Sequence, residues 1–370
     1  MAEPDDPKQN VNARMQDRAI RHAIYLERYY ATATQQVVGY LNDEVYPDLL
    51  AKLAVRLERI RLRGVDSGFA TTKRYATMLA DIKAMLKGGH DEARKMLAEL
   101  MRELAKVEAR WQEGMIGQSI PKEAHTVVMP DDTVNLRIVQ QVVDQPIQGK
   151  PMKKWWDDLT ARTQEKITTE IGKGLSQGET ADQIVRRVRG TQANGYRDGA
   201  LNATREQAAA IVRTTSNHVT TQAREVTYGE MESVLKGVQW VATLDTKTCP
   251  ICGPLDGKVF QLKEGPRPPA HWNCRCTTAP VTKSLAEIIK GSKAKKAEAA
   301  ELSASTRASM DGQVPDAVTY NEWVKRQPKD VQDEIFGPGR ARLLRSGQIS
   351  PKDLVTKTGR LRSLDELKDS

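Results

Sequence analysis

All four cysteines of the chain fall within two short segments, CPIC (249–252) and HWNCRC (271–276), and one of its five histidines, His271, stands among them. Thiolate sulfur and imidazole nitrogen are the donors a tetrahedral zinc ion prefers, and a Cys-x-x-Cys turn lets two thiolates reach one ion. Cys249 and Cys252 have that spacing. The second half of such a site must return from a distance, and His271, Cys274 and Cys276 do so after 18 intervening residues. If Cys-Arg-Cys is extended, Cys274 and Cys276 point to the same side, because side chains alternate along a strand. Five donors therefore compete for four positions, and the spacing leaves open which one stays outside. A structural zinc is the expectation. A disulfide is disfavoured in a reducing cytosol. A thioredoxin-like redox pair needs its Cys-x-x-Cys at the start of a helix in a βαβ context, which is absent.

A catalytic zinc keeps an open water position with a Glu, Asp or His beside it for proton transfer. Zinc deaminases carry His-x-Glu upstream of Cys-x-x-Cys, but His218 is followed by Val219 and Thr220. Phosphate loops, nucleophile elbows and His-Glu-x-x-His are also missing from the sequence. His22, His90, His125 and His218 are scattered and read as surface or helix-packing residues. No catalytic residue is assigned and the chain reads as non-enzymatic. The alternative is a nucleic-acid-acting enzyme or toxin-like effector built on the same module, which would need a further domain with its own catalytic set.

The elements that must position the cluster belong to a polar chain of 370 residues, 39% hydrophobic, 5% aromatic and 28% charged. That balance suits solvated helices better than one thick core, so the expected class is α+β and predominantly helical. Net charge is +9, with 57 basic residues interleaved with 48 acidic ones. The excess permits contact with nucleic acid, as a mixed surface would. The acidic start MAEPDDPKQN has no apolar signal region, and no run approaches the ~20 apolar residues that span a bilayer. The expectation is assembly in the cytoplasm without a membrane partner.

Residues 1–125 read as long helices. A stripe runs through Ile20, Ala23, Ile24, Tyr30, Val37, Val38 and Leu41, and another through Leu49, Leu53, Val55, Leu57 and Ile60. A third, from Tyr75 to Leu86, meets Gly88 and Gly89, a natural stop before a fourth helix from about Asp91. Prolines at 121, 130 and 146 mark a boundary, and TVNLRIVQQVVD (133–144) has a strand-like or irregular pattern. The central module, 126–281, then opens with helices. Thr180 with Gln183 and Thr204 with Gln207 have capping-box spacing. Ala208, Ile211, Val212, Thr215, Val219, Ala223 and Val226 mark one face of a long helix. Three short strands are expected at 237–244, 257–262 and 274–281, forming a small antiparallel sheet with the thiols at its end. Residues 282–313 read as a linker, and 314–370 as a small helical tail anchored by Trp323, Val331, Ile335, Phe336, Leu343 and Leu344.

The run TLDTKTCPICGPLDGKVF followed by PRPPAHWNCRC resembles the signature of the phage Mu F-like head morphogenesis, or minor capsid, proteins. The positions that carry it are Asp245, Cys249, Cys252, Asp256, Gly257, Pro268, Pro269, His271, Asn273, Cys274, Arg275 and Cys276. The likeness covers about 150–281, and the tail is similar to the segment that often closes these proteins. The preceding helix departs from the family's Arg-Thr-Glu by placing Thr215 where the Glu would stand. The resemblance implies a component of a phage head, associated with the portal protein and with major capsid or scaffold protein, that assists assembly and DNA packaging or release. Nonspecific contact with packaged DNA would accompany that role. Asp245, Asp256, Gly257, Asn273 and Arg275 are read as structural support of the cluster. The two aspartates are candidates for bonding its backbone amides or Arg275, and Gly257 for a turn with positive φ.

Overall fold

The computed structural model describes residues 11–62, 68–120, 141–283, 285–288, 306–315, 317–356 and 360–368. The class is α+β and predominantly helical. Its elements are α1 (Val11–Tyr40), a π-helical turn (Leu41–Val45), α2 (Tyr46–Leu62), α3 (Gly68–Ser119), α4 (Met152–Ser176), α5 (Ala181–Arg189) and α6 (Ala200–Glu230). Then come β1 (Leu235–Val241), β2 (Val259–Gln261), β3 (Thr277–Thr282), α7 (Leu285–Ile288), the strands β4 (Thr306–Ser309) and β5 (Gly312–Pro315), and the short helices α8 (Tyr320–Lys325), α9 (Lys329–Phe336), α10 (Pro338–Arg345) and α11 (Leu364–Lys368). The chain divides into two compact units. One comprises Met1–Arg28, Leu104–Val142 and Asn217–Ser370, the other Tyr29–Glu103 and Val143–Ser216.

The second unit is helical. Tyr30, Ala33, Val37 and Leu41 recur at three- and four-residue steps and are buried, as are Leu49, Leu53 and Leu57 of α2. Val55, assigned to that stripe, is exposed. The π turn lies just before Pro47, which cannot donate to the carbonyl four residues back, so the ladder loosens there instead of breaking. The glycine pair Gly88–Gly89 does not stop a helix: α3 runs through it without interruption. A helical glycine costs only about 1 kcal/mol, and here it has a packing purpose. A Cβ on Gly89 would lie 2.4 Å from Val45 Cγ1, so the bare backbone admits the π turn. Thr180 caps α5 in a capping box with Gln183, and Gly190 ends it at φ 91°. Thr204 is no cap. It lies one turn inside α6, buried, with its hydroxyl 3.0 Å from that of Thr163.

In the first unit, Met15, Met115, Ile116, Tyr228, Met231, Val234 and Val238 form one core. Ile24, placed on the first stripe by its spacing, is 45% exposed, while Met15, Ala19 and Leu26 turn inward. The three strands are antiparallel in the order β2-β1-β3, with β1 central. Val238 faces Phe260 on one side and Pro280 on the other. Strands β4 and β5 form a hairpin that begins inside the stretch read as linker and ends two residues into the stretch read as tail. In the tail, Trp323 and Phe336 are buried beside Val318, Tyr320, Ala341 and Leu354, with Ile335, Leu343 and Leu344 packed against them. Of the strand-like segment 133–144, positions 133–140 lie outside the described residues and Val142–Asp144 is a 3₁₀ turn.

Candidate metal centre

The CPIC segment leaves β1 and returns as β2, while HWNCRC leads into β3, so adjacent strands bring both halves to one end of the sheet. His271 Nε2 lies 3.1 Å from Cys249 Sγ and 3.2 Å from Cys252 Sγ. Cys252 Sγ and Cys274 Sγ are 3.8 Å apart. A tetrahedron with Zn–S of about 2.3 Å and Zn–N of about 2.0 Å has edges of about 3.8 Å between sulfurs and about 3.5 Å between sulfur and nitrogen. The thiol pair matches the first, and the sulfur–nitrogen pairs sit a few tenths of an ångström inside the second. None of the four cysteines is in a disulfide. Two overlapping donor groups result, Cys249–Cys252–His271 and Cys252–Cys274–Cys276, each with its ligand atoms within 4.8 Å of one another. The donor set therefore fits a thiophilic metal ion.

The electrostatics point the same way. Hydrogen bonds from Cys252 and His271 pull the Cys249 thiol down to about 4 against the opposing effect of burial. Cys274 is pulled down by the same two partners together with Cys276. Cys252 is pushed up, because its proton is shared with Cys249, Cys274 and Cys276. At Cys276 the bond from Cys252 favours the thiolate, but Cys274 and burial outweigh it. His271 rises to about 10 through its bonds to Cys249 and Cys274. Four crowded thiols cannot all ionise beside one imidazole without further positive charge, which is what a bound cation supplies.

Local chemistry holds the loops. Arg275 donates two bonds of 2.6 Å to the Asp245 carboxylate, a bidentate pair, and Asp245 Oδ1 also accepts the amides of Lys247 and Thr248. Both roles considered for Asp245 are thus filled at once. Asp256 does not meet Arg275. It accepts the Ala242 and Tyr320 amides at 2.7 Å each and pairs with Arg307, buried on β4. Gly257 follows at φ 79° and Asn273 at φ 58°, both left-handed positions that Gly and Asn tolerate best. The bond between Pro268 and Pro269 is cis. Trp240 packs with Ala242, Cys252, Cys274 and Cys276. Tyr320 donates to the Thr248 carbonyl at 3.0 Å, and a Cβ on Gly253 would lie 2.4 Å from its ring.

Three supporting groups escaped the pattern reading. Asn217, on α6, donates to the carbonyls of Cys274 (2.8 Å) and Cys276 (3.2 Å). Its only sequence signal is an amide within an otherwise buried helix face. Arg307 fell in the presumed linker. The third is a buried ionic cluster around Glu108. That carboxylate lies 2.6 Å from His22 Nε2 and accepts Arg224 Nε at 2.5 Å and Gln112 Nε2 at 2.7 Å. Tyr228 bonds to Gln112, and His22 stacks on Trp111 with centroids 3.6 Å apart. Arg224 also donates to Thr277, the residue after the last cysteine. His90 and His218 are buried packing residues, and His125 lies outside the described residues.

Residues 165–279 match a family model described as phage Mu protein F like protein. This segment is similar to the Mu F-like proteins. All five donors and Asn217 and Arg224 lie inside the match, whereas His22, Glu108, Arg307 and Tyr320, which close the module, lie outside it. No curated protein and no solved structure gives a significant match to the chain.

Proposed function

We propose that the chain is a phage head morphogenesis protein whose Mu F-like module is stapled by one structural zinc ion on Cys249, Cys252, His271 and Cys274. The observation that carries this reading is a thiol-rich donor cluster inside the family-matched segment. His271 contacts Cys249 and Cys252, Cys252 in turn meets Cys274 at 3.8 Å, and Cys276 groups with Cys252 and Cys274 in the buried layer with Trp240. Cys276 is then the donor left over. The ion supplies charge that keeps neighbouring thiolates ionised and ties the two loops together. A structural rather than catalytic role is supported by the nearby carboxylates: Asp245 is engaged by Arg275 and Asp256 by Arg307.

As a head protein it would work in the virion after assembly in the host cytoplasm, on portal protein and on major capsid or scaffold protein, in DNA packaging or release. Any contact with packaged DNA would be phosphate-led and would weaken steeply with salt. No helix among the described residues is long and apolar enough to cross a membrane. Elemental mass spectrometry on the reduced protein tests the centre. About one zinc per chain is expected, kept in Cys276→Ser and lost in Cys252→Ser and Cys274→Ser; metal-free protein of full stability would overturn it. Co-purification with portal protein tests the assignment, and consistent absence from assembled heads would overturn that part.

A further inference from the structure

The second unit holds a cavity of about 710 Å³ that none of the preceding chemistry uses. Its floor is a stripe on α2, Pro47, Leu50, Ala51 and Ala54, at the spacing of one helix face, completed by Val185 of α5. Arg189 and Arg205 stand in its wall. Among the described residues neither arginine makes an ion pair. Arg205 donates Nε to Asn42 Oδ1 at 2.7 Å, and its guanidinium lies 5.7 Å from the centre of the Tyr46 ring. Arg189 lies 5.7 Å from the centre of the Tyr196 ring. Arg205 is half-buried, and burial lowers its pKa with no carboxylate acting against it. Tyr46 is 1% exposed, and its hydroxyl has no hydrogen-bond partner among the described residues. A half-buried guanidinium with an open fork and no counter-charge is better satisfied when an anion meets it.

The geometry points to a docking site for a segment of a partner polypeptide in which an Asp or Glu side chain sits beside aliphatic residues. The carboxylate meets the open fork of Arg205, with Arg189 at the rim, and the aliphatic side chains lie on the α2 stripe. A carboxylate takes two parallel N–H bonds from one guanidinium. The main competitor is a nucleotide, whose base needs an open aromatic face. Tyr46 is 1% exposed and offers none, and Arg189 stands over the Tyr196 ring, so stacking is limited to the other face of Tyr196 while the aliphatic floor matches aliphatic side chains. The inference rests on the head-protein reading only in taking the occupant to be a polypeptide. Zinc content and portal co-purification decide that reading, and the assay below is independent of both.

Capped hexapeptide pools of Leu, Val and Ala, with one central position fixed as Glu, Gln or Lys, are passed over the immobilised, metal-loaded full chain, and retention is read by mass spectrometry. The Glu pool is expected to be retained at least tenfold over the Gln and Lys pools. Arg205→Gln should abolish that preference. Ala54→Glu, a substitution on the floor that removes no core group, should do the same by placing a carboxylate in the cavity, with an unchanged melting temperature. Arg205→Lys, which keeps charge but not the fork, should retain part of it. Equal retention of all pools, an undiminished Glu preference in Ala54→Glu, or displacement of the Glu peptides by AMP at lower concentration would each overturn the proposal.

Discussion

The thiol cluster and the Glu108 cluster lie in the same unit and both hold β3, yet they solve the problem of burying polar groups in opposite ways. Around Glu108 every charge meets a partner within the chain: His22 and Arg224 face the carboxylate, and Gln112 bridges it to Tyr228. Burial alone would raise Glu108, but the Arg224 charge and the His22 bond outweigh it and bring the carboxyl down to about 2. Around Cys252 the donors meet mostly one another, and the protein's own residues leave the charge unfinished. The ionic cluster is complete as folded, while the thiol cluster has donors that could hold a metal ion. With the proposed ion bound, the first should respond to acid and substitution, the second to chelation.

The largest effect expected is therefore metal removal. Structural zinc contributes about 10–16 kcal/mol in small peptides, and in this larger unit the loss should exceed about 5 kcal/mol, seen by calorimetry as a lower transition that Cys252→Ser reproduces. A transition unmoved by chelator would erase the contrast between the two regions.

Glu108→Gln comes next. It leaves Arg224 buried without its counter-ion, at a cost of about 3–5 kcal/mol, measured by urea unfolding of the metal-loaded protein. The pH dependence has a definite sign. Because the folded pKa is depressed from 4.5 to about 2, the carboxylate's contribution is present above about 4.5 and is lost as pH falls toward 2. In chelator-treated protein that acid slope should vanish in Glu108→Gln. A slope preserved in the variant would assign it to other groups.

Two smaller changes sharpen the comparison at the thiol end. Asn217→Ala deprives two buried carbonyls of their donor, which should cost about 1–3 kcal/mol and lower zinc affinity in a competition assay with a colorimetric chelator. Asp245→Asn weakens a partly exposed pair with Arg275 and should cost about 1 kcal/mol or less. A larger loss for Asp245→Asn than for Asn217→Ala would mean that the loop's carboxylate, and not the helix, holds the last two cysteines in place.

The donors were legible because Cys-x-x-Cys and a clustered histidine are chemical patterns of short span. The capping box at Thr180 was legible for the same reason, as were the three strands and the buried face of α6. The Glu108–Arg224 pair was not, since its members are 116 residues apart and each sits in a helix rich in charge. Arg307 was hidden by the low-complexity residues before it, which gave β4 no hydrophobic alternation to betray it. At Gly88–Gly89 and Thr204 a valid local signal was overridden: the close packing of the Val45 side chain on Gly89 and the bond to Thr163 outweighed a stop and a cap.

By itself, the sequence determined which residues could ligate a metal, that the chain is mostly helical and that a small sheet has the thiols at its end, although Cys274 and Cys276 precede β3 instead of lying on it. These depend on residue type and near-neighbour spacing, which a linear chain displays. Only the tertiary structure decided that Cys252 links the two donor groups, that Asp256 belongs to Arg307 and Tyr320 rather than Arg275, and that Arg205 faces a cavity lined by no carboxylate among the described residues. Pairings of that kind are set by where whole elements pack, and the energy of a buried charge depends on every group around it.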